Sequence, residues 1–187
     1  KMRTEPVMKN SSASVWDLGD GVLCFEFTSM ANSLDEGIMV MLNKTISAIE
    51  KGGEYKALVI HNEGKNFSVG ANIGLALFAA NIAAWPQIQA NIKGGQDTYM
   101  KLRFGNFPVV SAPSGIAVGG GCEILMHSDA VQAHAETYTG LVEVGVGVMP
   151  GWGGCKEMVR RHLGNKRSAR GPMPALVLPK GFVGVTI

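Results

Sequence analysis

The amino-acid sequence predicts a single α/β domain whose strands are joined by helical crossover connections. Short apolar runs alternate along the chain with longer runs that have helical spacing, a pattern typical of this fold class. The 187 residues are enough for one sizeable core and too few for two ordinary domains. Because 46% of the residues are hydrophobic and 17% are charged, we expect a folded chain rather than a disordered one.

The first predicted elements are a β-hairpin and an amphipathic helix. In "SVWDLGDGVLCFEF", apolar residues alternate on both sides of a Gly-Asp-Gly turn at residues 19–21, which predicts a strand to about Leu18 and another over Val22–Phe27. The following stretch, "SLDEGIMVMLNKTISAIEKGG", has helical spacing and ends in two glycines. The positions expected on the buried face of this helix are Ile38, Met41, Leu42, Thr45, Ile46 and Ile49.

The middle of the chain is predicted to contain one strand, one loop and two helices. "YKALVIHN" predicts a buried strand, "NFSVGAN" a loop, and "IGLALFAANIAAW" a helix, and a second helix is expected from Gln87 to Arg103. Two long uncharged runs cover residues 66–92 and 104–122. The first contains a proline and several polar residues, and the second contains two prolines and several glycines. We therefore expect both to be buried rather than to span a membrane.

The last third of the sequence again alternates between strand and helix patterns. "PVVSAPSGIAVGGG" predicts a strand interrupted by Pro113 and Gly115, and "CEILMHS" a short helix entered through the glycines. "DAVQAHAE" predicts the next strand, "LVEVGVGVMPGWGG" a loop, and "GCKEMVRRHL" a final helix. No internal repeat is visible in the sequence.

Charge and cysteine content exclude several classes of function. The net charge of +2 does not indicate a nucleic-acid surface, and the local basic cluster at residues 160–170 is either a solvated face or a phosphate contact. The three cysteines, Cys24, Cys122 and Cys155, form no CxxC pair, which argues against a metal site or a disulfide framework. Together with the lack of a signal-peptide pattern, this favours a reducing, cytoplasmic compartment.

The stretch "VGGGCEIL" at residues 118–125 is the first candidate for chemistry. Three consecutive glycines at a strand-to-helix junction expose backbone N–H groups at a helix N-terminus, where negative charge is favoured. The alternative is a tight turn required only for packing. A second glycine loop, "SVGAN" at residues 68–72, also follows a strand, and one amide from each loop could together form an oxyanion hole.

Two glutamates are the second candidate feature. Glu123 lies in the first turn of the glycine-capped helix, and Glu143 lies among small and apolar residues that predict a partly desolvated carboxyl with a raised pKa. Taken singly, each of them is open to a structural as well as a catalytic interpretation. Two carboxyl groups flanking a substrate are the minimum for adding or removing water across a double bond. Neither "HSD" as a catalytic triad nor "GVGVMPG" as a dinucleotide fingerprint has the required arrangement.

These motifs resemble the crotonase, or enoyl-CoA hydratase/isomerase, superfamily. The matching segments are "NFSVGANI", "FPVVSAPSGIAVGGGCEILMHSDAVQA" and "GLVEVGVGVMPGWGG", and the resemblance covers residues 14–163. The sequences of these segments are similar to the hydratase region of bacterial bifunctional 3-hydroxyacyl-CoA dehydrogenase/enoyl-CoA hydratases. The resemblance implies a crotonase-like ββα spiral core whose C-terminal helical region is largely missing. We expect a tail or linker at residues 1–13, the domain at 14–165, and a truncated or partly disordered segment at 166–187 of a longer protein.

The resemblance also implies catalytic roles for four residues. The backbone N–H groups of Ala71 and Gly120 would form the oxyanion hole for the thioester oxygen. Glu123 would orient and deprotonate the attacking water, and Glu143 would donate a proton to C2. Because both glutamates are present, hydration of enoyl-CoA in fatty acid β-oxidation is favoured over Δ3-Δ2 isomerisation or a non-catalytic acyl-CoA-binding role.

The remaining implications concern substrate contacts and assembly. Coenzyme A would be bound as part of the substrate near Met30, Ala31, Val69 and Ile73. The segment needs no metal or other cofactor, and NAD would be required only by a fused dehydrogenase. A trimer-type homo-oligomer is expected. The apolar residues 73–85 could bound an acyl pocket, and Asn72 stands where the family commonly has aspartate.

Overall fold

The computed structural model of the chain describes residues 5–164. They form two β-sheets, five α-helices and two short 3₁₀ helices. In chain order, the strands are β1 (Met8–Lys9), β2 (Ala13–Gly19), β3 (Val22–Phe27), β4 (Ala57–Ile60), β5 (Asn66–Ser68), β6 (Val109–Ser111), β7 (Ile116–Val118), β8 (Ala130–Val131) and β9 (Tyr138–Gly140). The helices are α1 (Glu36–Glu50), α2 (Ile73–Asn81), α3 (Trp85–Phe104), α4 (Gly120–His127) and α5 (Gly154–Gly164), with short 3₁₀ helices at Met30–Asn32 and Glu143–Val146.

The larger sheet has the strand order β1-β2-β3-β4-β6-β8, and the smaller sheet has the order β5-β7-β9. Pairing is antiparallel among β1, β2 and β3, and parallel from β3 onwards and throughout the smaller sheet. The chain visits the larger sheet, then the smaller sheet, and then a helix, and it does so three times from β4 to α5. This order confirms the predicted α/β class and the ββα spiral.

The hairpin and the first helix agree with the sequence prediction. The turn residues 19–21 all have positive φ, and all six positions expected on the buried face of α1 are buried. The α1 N-terminus is capped by Asp35, whose Oδ1 accepts a hydrogen bond of 2.8 Å from the N–H of Ile38. Residues 8 and 9 pair with β2 and add a short edge strand.

A buried aromatic and amide cluster joins the two sheets. Phe27 of the larger sheet packs edge-to-face on Phe67 of the smaller sheet, with ring centroids 5.8 Å apart. Beside them, Asn62 is buried, accepts a hydrogen bond from the N–H of Phe27 and donates one to the carbonyl of Phe67, each at 2.6 Å. The smaller sheet is thereby fixed against the larger one, which sets the position of every segment that follows its strands.

Three strand predictions are corrected by the structure. The stretch expected to be one interrupted strand is two strands in different sheets, because the chain turns at residues 112–115 and Gly115 has a φ of +69°. A Cβ at Gly115 would overlap the backbone of Lys65, so only glycine fits where the chain crosses between sheets. The predicted loop "NFSVGAN" contains β5, and only Ala130 and Val131 of "DAVQAHAE" form a strand.

The apolar segment after β5 also differs from its prediction. The helix expected to reach Trp85 ends at Asn81, and α3 begins at Trp85 after Ala83 takes a φ of +55°. The uncharged run at residues 66–92 was expected to be buried, yet α2 has no buried residue and Phe78 is 63% exposed. Its apolar residues lie all round the helix, so no single packing face could cover them. Within residues 5–164, no helix combines the length and apolar character that a membrane span needs.

Candidate active site

All the sequence-predicted catalytic positions follow strands of the smaller sheet. Ala71 follows β5, Gly120 and Glu123 follow β7 in α4, and Glu143 follows β9. These three strands are parallel, so their carboxyl ends lie at one edge of the sheet. The topology therefore gathers these positions, which are far apart in the sequence, at that edge.

The glycines of the run at residues 119–121 are required by backbone conformation at Gly119 and by close neighbours at Gly120 and Gly121. Gly119 has a φ of +55°, and a Cβ there would lie 3.4 Å from Oε1 of Glu143. A Cβ on Gly120 would come within 2.9 Å of side chains on two sides, and one on Gly121 would lie 2.8 Å from Cβ of Ser68. Tight packing and the approach of a carboxyl group thus both explain why three bare backbone positions occur in a row.

The two glycine loops touch each other. Gly70 has a φ of +84°, and a Cβ there would lie 3.2 Å from the amide nitrogen of Gly120. The carbonyl of Gly70 accepts a hydrogen bond of 2.9 Å from the N–H of Leu34, which holds the first loop in place. In the described part of the chain, neither the Ala71 N–H nor the Gly120 N–H donates to another group. Two adjoining loops thus each carry a backbone donor that has no acceptor among residues 5–164.

Glu123 is almost fully buried, at 2% exposure. Its Oε1 accepts hydrogen bonds from the N–H of Trp152 at 3.0 Å and from the N–H of Gly154, the first residue of α5, at 2.8 Å. Burial raises the pKa of this carboxyl to about 7, with a further rise from the charge of Glu143, while the two N–H donors partly oppose the change. A carboxyl with this pKa exchanges its proton near neutral pH.

Glu143 begins the 3₁₀ helix after β9 and is half-buried. Its Oε2 is buried and has no hydrogen-bond partner among the described residues. Burial raises the pKa of this carboxyl above its ordinary value, as the sequence predicted, and the N–H groups of Glu143 and Val142 oppose part of the rise. The carboxyl beside Gly119 therefore has one buried oxygen whose hydrogen-bonding capacity no described residue satisfies.

The four positions predicted to contact coenzyme A lie on segments that are bonded to one another. The 3₁₀ helix at Met30–Asn32 is tied to β5, because Asn32 donates to the carbonyl of Asn66 at 2.8 Å and accepts from Oγ of Ser68 at 2.7 Å. Met30 is 92% exposed. Two of the four positions, Val69 and Ile73, flank Ala71, and the other two, Met30 and Ala31, lie in the bonded 3₁₀ helix.

Residues 19–174 match the family described as enoyl-CoA hydratase/isomerase. The chain belongs to this family. It is 42% identical over 169 residues to a Bacillus subtilis (strain 168) protein named "Probable 3-hydroxyacyl-CoA dehydrogenase", covering 90% of this chain and 21% of that protein. It is 36% identical over 160 residues to a Rickettsia felis protein that bears the provisional name "fatty acid oxidation complex trifunctional enzyme", covering 86% of this chain and 22% of that protein. The chain thus spans about a fifth of these relatives.

Solved structures of enoyl-CoA hydratases have the same fold. The enoyl-CoA hydratase from Polaromonas sp. JS666 matches with a TM-score of 0.72 and 25% identity, covering 82% of this chain and 61% of that one. The enoyl-CoA hydratase from Bacillus anthracis matches with a TM-score of 0.71 and 24% identity, covering 80% and 57% of the two chains. The described residues therefore form an enoyl-CoA hydratase-like domain.

Sequence reasoning about this hydratase-like domain missed two aromatic residues beside the site. Tyr99 of α3 is fully buried and donates a hydrogen bond of 2.9 Å to the carbonyl of Gly120. Trp152 packs on Tyr99 with ring centroids 5.5 Å apart and supplies one of the N–H donors to Glu123. The only signal in the sequence was an aromatic residue within the glycine-rich "PGWGG", which by itself indicates no partner.

The side chains that could suggest another chemistry have structural partners. Nδ1 of His127 is hydrogen-bonded at 2.7 Å to the carbonyl of Glu123, and the hydroxyl groups of Ser128 and Ser111 lie 2.7 Å apart. Burial raises the pKa of Cys122 to about 11, so its thiol is neutral at physiological pH and is a poor nucleophile. Within the described residues, no group of three metal-ligating side chains comes together.

Proposed function

We propose that this chain is the enoyl-CoA hydratase domain of a larger fatty acid β-oxidation enzyme and adds water across the 2,3 double bond of enoyl-CoA thioesters. The observation that carries the proposal is the pair of desolvated carboxyl groups at the glycine run: Glu123 follows the run in α4, and Glu143 lies beside its first glycine. In the described part of the chain, the Gly120 N–H of this run donates to no other group. Family membership supports the reaction class, and the names of the longer relatives support the multifunctional context.

The backbone amides of Ala71 and Gly120 hold the thioester oxygen in this mechanism. Addition of water at C3 places negative charge on that oxygen as an enolate develops. Donors that are already fixed in position stabilise this charge without reorganising, and one such donor is typically worth about 10²–10³ in rate. The α4 N-terminus adds its dipole, which also favours negative charge at this point.

Glu123 is the general base. Two peptide N–H groups bind its Oε1, so Oε2 is left to orient the attacking water and accept its proton. With a pKa of about 7, the carboxyl is ionised in roughly half of the molecules at neutral pH, close to the optimum for a general base. A general base of ordinary pKa would be ionised more fully but would attract the proton of water more weakly.

Glu143 is the general acid that delivers a proton to C2. Its carboxyl lies beside Gly119, over which the thioester would be bound, and its Oε2 has no partner among the described residues. A bound acyl chain would exclude water from this carboxyl and raise its pKa further, which favours the protonated form that a donor needs. The two glutamates thus act on neighbouring carbons.

We also propose how the rest of the substrate is bound. Coenzyme A contacts the segments that hold Met30, Ala31, Val69 and Ile73, because these segments adjoin the oxyanion hole. The exposed apolar helix α2 bounds the acyl chain. No cofactor is required by the hydratase reaction, and NAD would be used by a dehydrogenase region elsewhere in the polypeptide. We further propose a trimer-type homo-oligomer and a cytoplasmic location, the latter because Cys24, Cys122 and Cys155, all within the described residues, form no disulfide.

The test is an assay of crotonyl-CoA hydration by the full-length protein. The reaction is monitored as the loss of enoyl absorbance. We expect Glu143→Gln to lower kcat/KM by about 10²-fold or more, the usual scale of general acid–base catalysis. Glu136→Gln removes a negative charge from an exposed position and is the matched control. Hydration by Glu143→Gln at the wild-type rate would refute the assignment, and turnover of trans-3-enoyl-CoA without hydration would establish isomerisation instead.

A further inference from the structure

The indole of Trp152 is wedged between two helices at positions that have no side chain. A Cβ on Gly95 of α3 would overlap the indole ring, and a Cβ on Gly120 of α4 would lie 2.9 Å from its Cζ3. Trp152 is 8% exposed, and its ring meets Tyr99 edge-to-face. A large side chain that requires glycines on both neighbouring helices has very little freedom to move.

The backbone of the same residue contacts the proposed general base. The N–H of Trp152 donates to Oε1 of Glu123 at 3.0 Å, and the N–H of Gly154 donates to the same oxygen at 2.8 Å. This loop is tied to α3 a second time, because Nε2 of Gln96 donates to the carbonyl of Gly151 at 2.8 Å. The position of the carboxylate therefore depends on a loop that is fixed through its own aromatic side chain.

We propose that Trp152 is a positioning residue: its wedged indole fixes the loop at residues 151–154 so that two peptide N–H groups bind one oxygen of Glu123 and leave the other oxygen for water. This inference rests on the proposed hydratase function. The residue acts through Glu123 and does not itself touch the substrate. Its replacement should therefore change the protonation of Glu123 as well as the stability of the fold.

The direction of that change follows from the groups around Glu123. N–H donors favour the ionised carboxyl, so their loss would raise its pKa further above 7. Tyr99 and Cys122 have pKa values raised by burial and stay neutral between pH 5 and 9, and the pKa of His127 is lowered by burial. Among the described residues, this leaves Glu143 as the acid that titrates together with Glu123.

The first experiment measures the pH profile of kcat/KM for the full-length wild-type protein, Trp152→Ala and Trp152→Phe. Losing one or two N–H donors should move the ascending limb of Trp152→Ala up by about one pH unit. Activity should then fall about fivefold at pH 7 but less than twofold at pH 9. Trp152→Phe retains an aromatic wedge, and its profile should lie closer to wild type. An equal loss at every pH, or an unshifted profile, would overturn the proposal.

A second set of variants separates positioning from simple loss of packing. Gly95→Ala places a Cβ against the indole and should shift the profile in the same direction, whereas Gly94→Ala, which has open space around it, should leave the profile unchanged. In the Trp152→Ala background, Gly95→Ala should have no further effect on the profile, because the ring it displaces is gone. Additive shifts in the double variant would contradict the wedge.

The outcomes also distinguish this inference from the proposed function. A wild-type protein that hydrates no enoyl-CoA would refute the function. In that case, the pKa of Glu123 would be obtained from the pH dependence of unfolding of wild type and Glu123→Gln, and the same measurement on Trp152→Ala would test the positioning role. If Trp152→Ala does not fold, Gly95→Ala provides the same test, with Gly94→Ala as its control.

Discussion

Replacing Glu123 by glutamine should make the protein more stable at alkaline pH while abolishing most of the proposed hydratase activity. Glutamine has nearly the same shape, and its carbonyl oxygen can accept the hydrogen bonds from the N–H groups of Trp152 and Gly154. It cannot accept a proton from water. We therefore expect kcat/KM to fall by about 10²–10⁴-fold, the range of general-base contributions.

The stability change follows from the pKa of the buried carboxyl. Between its ordinary value of 4.5 and about 7, the folded protein holds a proton that the unfolded chain releases, so wild-type stability decreases as the pH rises through this window. Above pH 7, the full difference between the two pKa values lowers the free energy of unfolding of the wild type by about 3 kcal/mol. Since glutamine does not ionise, Glu123→Gln should raise the free energy of unfolding by about 3 kcal/mol at pH 8 and by under about 1 kcal/mol at pH 5. The weaker hydrogen bonds of a neutral amide reduce both gains.

The assay is urea-induced unfolding of the wild type and the variant at pH 5 and pH 8, combined with crotonyl-CoA hydration at each pH. Glu136→Gln, which removes an exposed carboxyl, should show the same stability difference from wild type at both pH values. The informative quantity is the change in the effect of Glu123→Gln between the two pH values, expected to be about 2 kcal/mol. A pH-independent effect on stability would show that the carboxyl is not held at a raised pKa.

Two further predictions concern the packing behind the site. Gly121→Ala should destabilise the fold by about 1–3 kcal/mol, because its Cβ would lie 2.8 Å from that of buried Ser68. Its control, Gly94→Ala, has open space around the new Cβ and should be neutral or slightly stabilising. Equal melting temperatures for the two variants would contradict this packing. Tyr99→Phe leaves a buried carbonyl without its donor and should cost about 1–2 kcal/mol in urea unfolding. The exposed Tyr138→Phe is its control, and an equal effect of both would refute the buried hydrogen bond.

The parts of the fold that sequence alone predicted are those governed by local patterns. The hairpin was evident from alternation around a Gly-Asp-Gly turn, and α1 from helical spacing, with each expected buried position found buried. The short helix after the glycines was also located correctly. The raised pKa of Glu143 was anticipated because its neighbours in the sequence are small and apolar. In these cases the determining interactions lie within a few residues of each other.

The smaller sheet was not predicted, and the reason is the length of its strands. β5, β7 and β9 have three residues each, too few to show an alternating pattern. Their partners are about 20 to 50 residues away, so the pairing of Asn66 with Ile116 and of Ile116 with Tyr138 leaves no local trace. The same limit hid Trp152, whose significance depends on a glycine in α3. Only the resemblance to a known family predicted that the site residues lie together, because local patterns do not show which distant segments meet.

The energetics of the site support the proposal that Glu123 and Glu143 serve proton transfer. A buried carboxyl with a pKa of about 7 destabilises the fold by roughly 3 kcal/mol at alkaline pH, a large part of the 5–15 kcal/mol that typically holds a domain together. Oε2 of Glu143 adds a second buried polar atom without a partner among the described residues. Neither feature is needed to build the spiral, because the sheets are joined by Phe27, Phe67 and Asn62 at another place. Glutamine could accept the same two hydrogen bonds and so fill a purely structural role at position 123. It could not take up a proton, which is what the proposed reaction requires.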